Sequence, residues 1–552
     1  MQPFPSRRPA LPGWLLVLSP LLLLPLLTPF WAVNDDVLMI LTAKGLGLVD
    51  RPDPNLLYTH SAFGAVLSSL YRVQPDIPWY PSILLLITAL SLAAVGRDLF
   101  IVSSSPERRI LACVFAFGFT LNFFGRPTYS IPALLASLAG WTLWFNRIDD
   151  PRKGAEMSRV FAVVSLWLLA FLIRPLAFGL GTLLSIPLLL GRLPALRVAG
   201  FRRMRPWFWG VAAATILIIA LGVLTRPPDP EREEWRRLRE FQTLSAILLD
   251  YQRVGYDATT APIFRGVGWT PNDLALFAGW YFLDEERFSN ERLRALTRRL
   301  WGPSLRDPLG KWASQWKQAL GTFGWIALVW AVLLGFLQTR ERRLGYAALG
   351  IWILGVLTAM AVFLKLPRFL AEPALAFLVW TGIRGFKPPS LHTILPRKAV
   401  LGVLLIAAMT AWGFLFAGLH REQADLRVQE AQIRRSLTDL KPQPDDLFVF
   451  WDSIFPYERI RAFDSLELLR PFRLVCLTLH QRTPLARRRL DPVGIRDLSR
   501  ALYDDPRIRI LANRFQVESY RRMAWEKWGI RVDAEVQYEG PIFNVYRFRR
   551  TP

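Results

Sequence analysis

The feature that most constrains this fold is a series of long apolar runs. Several of them approach the roughly 20 residues that an α-helix needs to cross the hydrocarbon core of a bilayer. The chain has 552 residues, of which 52% are hydrophobic. It is therefore too long for one compact domain and too apolar for a soluble protein. The sequence predicts a polytopic α-helical membrane protein.

The first predicted span covers about residues 11–33. Arg7 and Arg8 precede it and place the N-terminus in the cytoplasm. The run is too long for the apolar part of a signal peptide and lacks a clear cleavage site, so we expect it to be retained. Further spans bring the total to about 11. They are predicted at 81–100, 110–125, 129–146, 159–173, 176–191, 207–224, 319–338, 345–364, 369–384 and 399–418.

The distribution of charge argues against a nucleic-acid partner, although the formal net charge is +24. A nucleic-acid-binding protein should carry its basic residues on one face of a soluble module with a recognisable motif. Here they lie in alternate short loops, which is typical of cytoplasmic loops. These residues are Arg108, Arg109, Arg147, Arg152, Lys153, Arg192, Arg197, Arg202, Arg203, Arg205, Arg340, Arg342, Arg343, Arg384, Lys387, Arg397 and Lys398.

The same alternation places three polar regions on the outer side. Loop 34–78 is expected to hold an amphipathic helix in the membrane interface and a second short helix. The loop 225–318 is predicted to be helical. Residues 1–420 would form the membrane domain and 421–552 a small α/β domain. In that domain, strands are predicted at 447–451 and 474–479, helices at 493–504 and 515–528, and a hairpin over 532–549.

The two cysteines, Cys113 and Cys476, lie in an apolar run and in the C-terminal region. They are poorly placed to pair, so no disulfide framework is predicted. No Cys/His cluster has the spacing of a zinc site.

An acidic pair, Asp35 and Asp36, follows the first apolar run directly. In a structural interpretation, Asn34 caps a helix whose first turn favours the acids through its dipole. In a catalytic interpretation, one acid is a general base that takes a proton from an acceptor hydroxyl at the membrane edge. The two acids can raise each other's pKa. A metal site formed by this pair is a further alternative.

Four cations lie at the outer ends of predicted spans, where the topology pattern does not account for them. They are Arg126, Arg174, Lys365 and Arg368. Such side chains can simply extend to the membrane surface or pair with lipid phosphates. Alternatively, they converge on the phosphate of a polyprenyl carrier, because arginine binds phosphate bidentately and stabilises a departing anion.

Five further residues are candidates for substrate binding. Tyr58 and His60 lie in the first outer loop, and Asp250, Trp269 and Asp273 lie in loop 225–318. Trp269 is suited to stacking on a sugar. However, Thr270-Pro271 with Asp273 also matches a helix start with a capping box and proline in the first turn. A lone histidine such as His60 is more often an ordinary loop residue.

The pattern resembles the GT-C superfamily of integral membrane glycosyltransferases. Asn34-Asp35-Asp36 is similar to the family's acidic motif after the first span, and Lys365-Leu366-Pro367-Arg368-Phe369 to its basic patch before a late span. The loop from Tyr58 to Tyr80 is similar to that of bacterial polysaccharide-associated members.

This resemblance implies inverting transfer of a sugar from a polyprenyl-phosphate-linked donor to a glycan, lipid or protein acceptor. Asp35 would match the usual catalytic acid. Many members have Glu where this chain has Asp36, which leaves open which acid is the base and whether a divalent ion such as Mg²⁺ or Mn²⁺ binds. The implied location is the bacterial inner membrane, with a cytoplasmic N-terminus and an extracytoplasmic C-terminal domain.

Two other classes are alternatives. A transporter or flippase of lipid-linked saccharides should show internal repeats or charges in the middle of its spans, and neither is expected here. A polysaccharide polymerase or ligase would rely more on outer arginines and histidines than on an acid. The transferase hypothesis predicts that the acids, Arg126, Arg174 and Arg368 line one cavity open to both lipid and the outer aqueous phase. If Asp35 and Asp36 point away from any cavity, the structural interpretation is favoured.

Overall fold

The computed structural model describes residues 27–102, 106–149, 157–225, 229–252, 254–300, 308–386, 397–451 and 454–551. Most of the first predicted span lies outside these residues. The structure is mostly helical, at 71%, and carries a small C-terminal sheet. The predicted helical class is therefore confirmed.

Each later predicted span coincides with a helix. After α1 (Asn34–Lys44) and α2 (Ser61–Val73) come α3 (Trp79–Val102), α4 (Pro106–Gly125), α5 (Ser130–Asp149), α6 (Met157–Ile173), α7 (Pro175–Leu190) and α8 (Leu193–Leu224). Later in the chain follow α13 (Pro308–Phe336), α14 (Arg340–Phe363), α15 (Arg368–Gly385) and α16 (Arg397–Asp439).

Five helices of the described chain are long and apolar enough to cross a membrane. They are Trp79–Arg97, Arg108–Gly125, Leu309–Phe336, Arg340–Phe363 and Leu401–Asp439. Shorter apolar helices accompany them at Ser130–Phe145, Met157–Ile173, Pro175–Leu190 and Trp209–Leu224. The structure thus supports a smaller set of membrane-length helices than the predicted total.

These helices pack into one bundle. Helix α5 contacts α3, α6 and α7, and α13 packs along α15. Aromatic rings fill the centre, with Phe119 and Phe323 at 5.6 Å and both against Trp412. Most of α15 is buried, so it is an inner helix of the bundle.

The polar regions form a second unit outside the bundle of apolar helices, which we call the extramembrane unit in accordance with the predicted topology. The segment after α8 folds as α9 (Asp229–Ala246), a π-helical turn (Ile247–Gln252), α10 (Ala261–Arg265), α11 (Pro271–Ala278) and α12 (Asn290–Leu300). The C-terminal part holds β1 (Leu447–Trp451), β2 (Arg473–Leu477), α17 (Pro484–Leu490), α18 (Leu498–Asp504), β3 (Ile508–Ala512), α19 (Arg514–Trp528), β4 (Val532–Glu539) and β5 (Asn544–Arg550).

The sheet order is β2-β1-β3-β5-β4. Strands β2, β1 and β3 are parallel, and β5 runs antiparallel to β3 and β4. The predicted strands, the second helix and the terminal hairpin are confirmed. The first predicted helix, 493–504, begins later, at Leu498, and β3 was not predicted.

One hydrophobic core joins the two polar segments. Phe241, Trp269 and Phe277 from the helical segment pack with Val449 and Trp451 from the sheet. Helix α16 also continues without interruption past residue 420 to Asp439. The structure therefore groups the described residues between Asp229 and Leu300 with the C-terminal region, whereas the sequence pattern placed the loop 225–318 in the membrane domain.

Helix α1 is where predicted, but it does not lie in an interface. Its residues from Asp36 to Lys44 are all buried. The Lys44 Nζ donates to the Ser465 carbonyl at 2.7 Å and to Glu467 at 2.8 Å. The expectation of an amphipathic interfacial helix is wrong, because the C-terminal region covers the face that was expected to meet water.

We predict that Trp269→Ala strongly destabilises the extramembrane unit. Trp269 is 1% exposed within the shared core, and truncating a buried Trp leaves a cavity that costs about 3–5 kcal/mol. Thermal unfolding of the purified protein would show a lower midpoint. The control is Trp525→Ala in α19, whose side chain is 52% exposed. Equal midpoints for the two variants would contradict the shared core.

Candidate functional site

The first turn of α1 sets the directions of the two acids. Val33 precedes the helix in an extended conformation (φ −148°, ψ 152°) and is its N-cap, without a side-chain cap. The Asn34 Oδ1 instead accepts a hydrogen bond from the Glu458 backbone N–H at 3.2 Å. The alternative in which Asn34 caps the helix is therefore wrong. Asp35 and Asp36 still lie in the first turn, where the helix dipole favours their charge.

Asp36 is fully buried and points into the bundle. Its Oδ1 accepts from the Tyr80 hydroxyl at 2.8 Å and from the Tyr129 backbone N–H at 3.0 Å. Its Oδ2 has no hydrogen-bond partner among the described residues. Burial raises the pKa of Asp36 to about 7, against the opposing effect of the hydrogen bonds from Tyr80 and Tyr129. Asp36 is thus an anchored, poorly ionising carboxyl group.

Asp35 points elsewhere and is only partly buried. Burial raises its pKa to about 6, and the nearby Asp250 charge contributes in the same direction. The Arg174 charge, a hydrogen bond from the Tyr58 hydroxyl and the Lys365 charge oppose this rise. Asp35 is therefore ionised at neutral pH and more basic than an ordinary carboxylate.

The two cations near Asp35 are held by different elements. Arg174 precedes α7 as its N-cap residue, donates to the Ser130 hydroxyl, and lies 4.8 Å from the Tyr129 ring centroid. The Lys365 Nζ lies 2.8 Å from the Asp250 Oδ1 in the π-helical turn. We call Asp35, Tyr58, Arg174, Asp250 and Lys365 the Asp35 cluster. The structure brings these five predicted site residues together.

Arg126 and Arg368 line a separate cavity of about 300 Å³, here called the Arg126 cavity. Arg368 Nε lies 2.5 Å from Glu372, which also accepts from Asn122 at 2.7 Å. Arg126 forms an ion pair with Glu422. Glu372 is buried within the predicted span 369–384, so it is an exception to the expectation of spans without internal charges.

Two aromatic side chains that line the cavity also contact residues around the two acids. Phe369 lines the cavity, and its ring centroid is 5.9 Å from the Arg174 Cζ. Trp31 also lines it, and its ring lies 5.7 Å from that of Tyr80, the partner of Asp36. The lining includes neither acid nor Arg174. The structure therefore does not place the two acids and Arg174 in the cavity that Arg126 and Arg368 line.

A kink in α13 makes room for Arg368. Gly321 has φ 49° and ψ −165°, and a Cβ there would lie 2.8 Å from the Arg368 Cζ. Only glycine adopts such a conformation readily. The sequence pattern did not predict a role for this residue, although a glycine at a predicted span end was a visible signal. The residues that hold Asp36 and Arg368 were not predicted either, namely Tyr80, Tyr129, Asn122 and Glu372.

Three predicted substrate-binding residues have structural roles instead. Trp269 is buried, and its Nε1 donates to the Arg287 carbonyl at 2.9 Å, so its ring is not available to stack on a sugar. Asp273 completes the predicted capping box with Thr270 and pairs with Arg287. The His60 Nδ1 accepts from the Ala62 backbone N–H at 3.2 Å and caps α2. Their burial and contacts favour the structural interpretation.

The two acids have separate surroundings. Their carboxylates have different hydrogen-bonding partners, Tyr58 for Asp35 and Tyr80 for Asp36. Among the residues that the structure describes, no group of three or more His, Cys, Asp or Glu side chains is placed to hold a metal. A metal site formed by this pair alone stays a prediction.

The chain was also compared with known proteins. No family model, no curated protein and no solved structure matches it. The functional interpretation therefore depends on the site itself.

We predict that Asp36→Asn stabilises the protein at high pH. The folded-state pKa of Asp36, about 7, exceeds the ordinary value of 3.8, so the folded state binds the proton more tightly. The stability from this proton is complete below about pH 4 and is lost as the pH rises through about 7. Asparagine removes this titration, and the gain at pH 8 is at most about 4 kcal/mol.

Thermal midpoints of wild type and Asp36→Asn at pH 4.5 and pH 8 would test this. The difference in midpoint should grow with pH. The exposed Asp445→Asn serves as the control. A difference that is the same at both pH values would show that Asp36 is not the titrating group.

Proposed function

We propose that this protein is an integral membrane glycosyltransferase of the GT-C type. It would transfer a sugar from a polyprenyl-phosphate-linked donor to a glycan, lipid or protein acceptor at the outer face of a bacterial inner membrane. The helices beyond the five membrane-length ones would complete about 11 spans. The observation that carries the proposal is Asp35, a carboxylate with raised pKa beside Arg174 and Lys365.

Asp35 is suited to act as the general base. An inverting displacement forms the new glycosidic bond from an acceptor hydroxyl, whose proton must leave as the bond forms. A base works best when its pKa is close to the working pH. The pKa of Asp35 is about 6, which keeps the group ionised at neutral pH while making it a better proton acceptor. Asp36, anchored by Tyr80 and Tyr129, holds the first turn of α1 in place.

Arg174 and Lys365 are suited to bind the leaving phosphate. Breaking the bond between sugar and phosphate leaves negative charge on the carrier, and fixed cations stabilise that charge. Lys365 is paired with Asp250 at 2.8 Å, and the side chains are 44% and 34% exposed. An incoming phosphate would therefore compete with Asp250 for Lys365. Arg174 is fixed by Ser130 and Tyr129 and would supply a bidentate contact.

The location of the extramembrane unit supports the same proposal. It contacts α1 through Glu458 and Lys44 and contributes Asp250 to the Asp35 cluster. The cluster thus lies where apolar helices meet a polar unit. A lipid-borne donor and a water-borne acceptor can meet at such a boundary.

The Arg126 cavity favours a second candidate, a polysaccharide polymerase or ligase that relies on outer arginines. Both Arg126 and Arg368 line this cavity, whereas Asp35 and Asp36 do not. In this case the reaction would centre on the cavity, and Asp35 would have no part in proton transfer.

We predict that Asp35→Asn lowers transfer at least 100-fold, because asparagine cannot take the proton and general-base catalysis contributes about 10²–10⁴-fold. The assay follows release of labelled sugar from synthetic polyprenyl-phosphate hexose and pentose donors by the full-length protein in liposomes, with bacterial envelope extract as acceptor. The matched control is Asp76→Asn, an exposed acid on the same side.

The comparison with Arg368→Ala separates the two candidates. The transferase proposal expects the Asp35 change to be at least as damaging as the Arg368 change. Full activity of Asp35→Asn with loss of activity in Arg368→Ala would favour the polymerase or ligase. Each variant must keep the thermal unfolding midpoint of the wild type, because misfolding would also abolish activity.

We predict opposite pH shifts for two neighbours of Asp35. Activity should rise with pH through the pKa of the base. Arg174 lowers that pKa and Asp250 raises it. Arg174→Gln should therefore move the acidic limb of the pH–rate profile to higher pH, and Asp250→Asn should move it to lower pH.

The measurement is the pH dependence of the initial rate at saturating donor concentration. Under this condition, weaker phosphate binding by Arg174→Gln does not affect the rate. Asp76→Asn again serves as the control and should leave the limb in place. Shifts in the same direction for both variants, or none, would mean that Asp35 does not set the profile.

A further inference from the structure

A cavity of about 630 Å³ lies at the end of the helix bundle opposite the Asp35 cluster. Helix α15 shows how far this cavity lies from the Arg126 cavity. This helix begins at Arg368, which lines the Arg126 cavity, and Arg384 near its end lines the opposite one. Sixteen residues of α-helix correspond to about 24 Å. The two cavities are thus separated by most of the thickness of a bilayer's hydrocarbon core.

Four arginines from four places in the bundle line this cavity, and we call it the arginine cavity. Arg108 comes from α4, Arg192 from the turn after α7, Arg342 from α14 and Arg384 from α15. The apolar part of the lining comes from Leu99, Phe145, Leu188, Leu349, Phe377 and Trp380.

Hydrogen bonds fix part of the wall. The Arg192 guanidinium lies 4.9 Å from the Phe145 ring centroid and donates to the Leu188 carbonyl at 3.1 Å. The Gln338 Nε2 donates to the carbonyls of Leu334 and Gly382 at 3.0 and 2.8 Å. The side chains that shape this end of the bundle are therefore held in position.

The helix dipole accounts for only one of the arginines. Arg384 lies in the last turn of α15, where the dipole favours a cation. Arg192 lies between α7 and α8 and is the N-cap residue of α8. Arg108 and Arg342 are each the third residue of a helix, where the dipole disfavours a cation and favours an anion. Two helix N-termini and four guanidinium groups thus make the same region attractive to negative charge.

We propose that the arginine cavity binds the phosphate group of an anionic lipid. Arginines recognise phosphate through paired, charge-assisted hydrogen bonds. The apolar walls would receive the first part of the lipid chains, which free phosphate lacks. This inference depends on insertion of the bundle in a membrane, but not on the chemistry assigned to Asp35.

The test is binding of short-chain phosphatidic acid to the purified full-length protein in detergent, measured by native mass spectrometry. Short-chain phosphatidylcholine and inorganic phosphate are the comparison probes. Phosphatidic acid should bind more tightly than either. Arg342→Gln and Arg384→Gln should each weaken its binding roughly tenfold, the effect of losing one charge-assisted contact.

The matched control is Arg340→Gln. Arg340 carries the same charge in the same turn of α14 and is exposed outside the cavity lining. It should bind phosphatidic acid like the wild type. If Arg340→Gln weakened phosphatidic acid binding equally, the binding would depend on general surface charge, and the proposal would be overturned.

Two other outcomes would also overturn it. Loss of binding in Arg174→Gln, with Arg342→Gln unaffected, would assign the lipid to the Asp35 cluster. Arginine-dependent binding of inorganic phosphate that matches phosphatidic acid would show that no lipid is recognised. Because the readout is binding, a failed transfer assay would leave this result unaffected.

Discussion

The structure of the candidate site depends on burial of the first turn of α1. Two adjacent carboxylates enter a region of low polarity, where each ionised group needs partners. The helix separates them, so Asp36 receives hydrogen bonds from Tyr80 and Tyr129 and Asp35 faces Tyr58 and the Arg174 charge. Desolvation raises the pKa of both, but only Asp35 keeps cations nearby and some exposure. One sequence motif therefore yields an anchoring carboxyl group and a reactive one.

This burial is imposed from outside the bundle. The chain before α1 pairs with the C-terminal region, through a bridge between Phe30 and Arg461 and a hydrogen bond from the Ala462 N–H to the Pro29 carbonyl at 2.8 Å. Glu458 then binds Asn34. These contacts join residues more than 400 positions apart in the chain, so the environment of Asp35 exists only when the extramembrane unit has folded against the helices.

Local sequence patterns were sufficient to predict the helices and much of the Asp35 cluster. Apolar runs located the later apolar helices. The cations that the topology pattern left unexplained included Arg174 and Lys365, which do lie beside Asp35. The separation of the two acids and Arg174 from the lining of the Arg126 cavity was not predictable, because it depends on which side chains meet after packing. The burial of α1 was missed for the same reason. Its polar positions are covered by residues from the distant C-terminal region, such as Glu467.

Helix α15 links the charged regions at the two ends of the bundle. Residues from Leu370 to Ile383 are almost all buried, so the helix cannot slide without repacking its neighbours. At one end, the kink at Gly321 seats the Arg368 guanidinium against Glu372. At the other, the Gly382 carbonyl accepts from Gln338 in the wall of the arginine cavity. The spacing between Arg368 and Arg384 is therefore set by a rigid buried element, and each arginine is presented at its own end of the bundle.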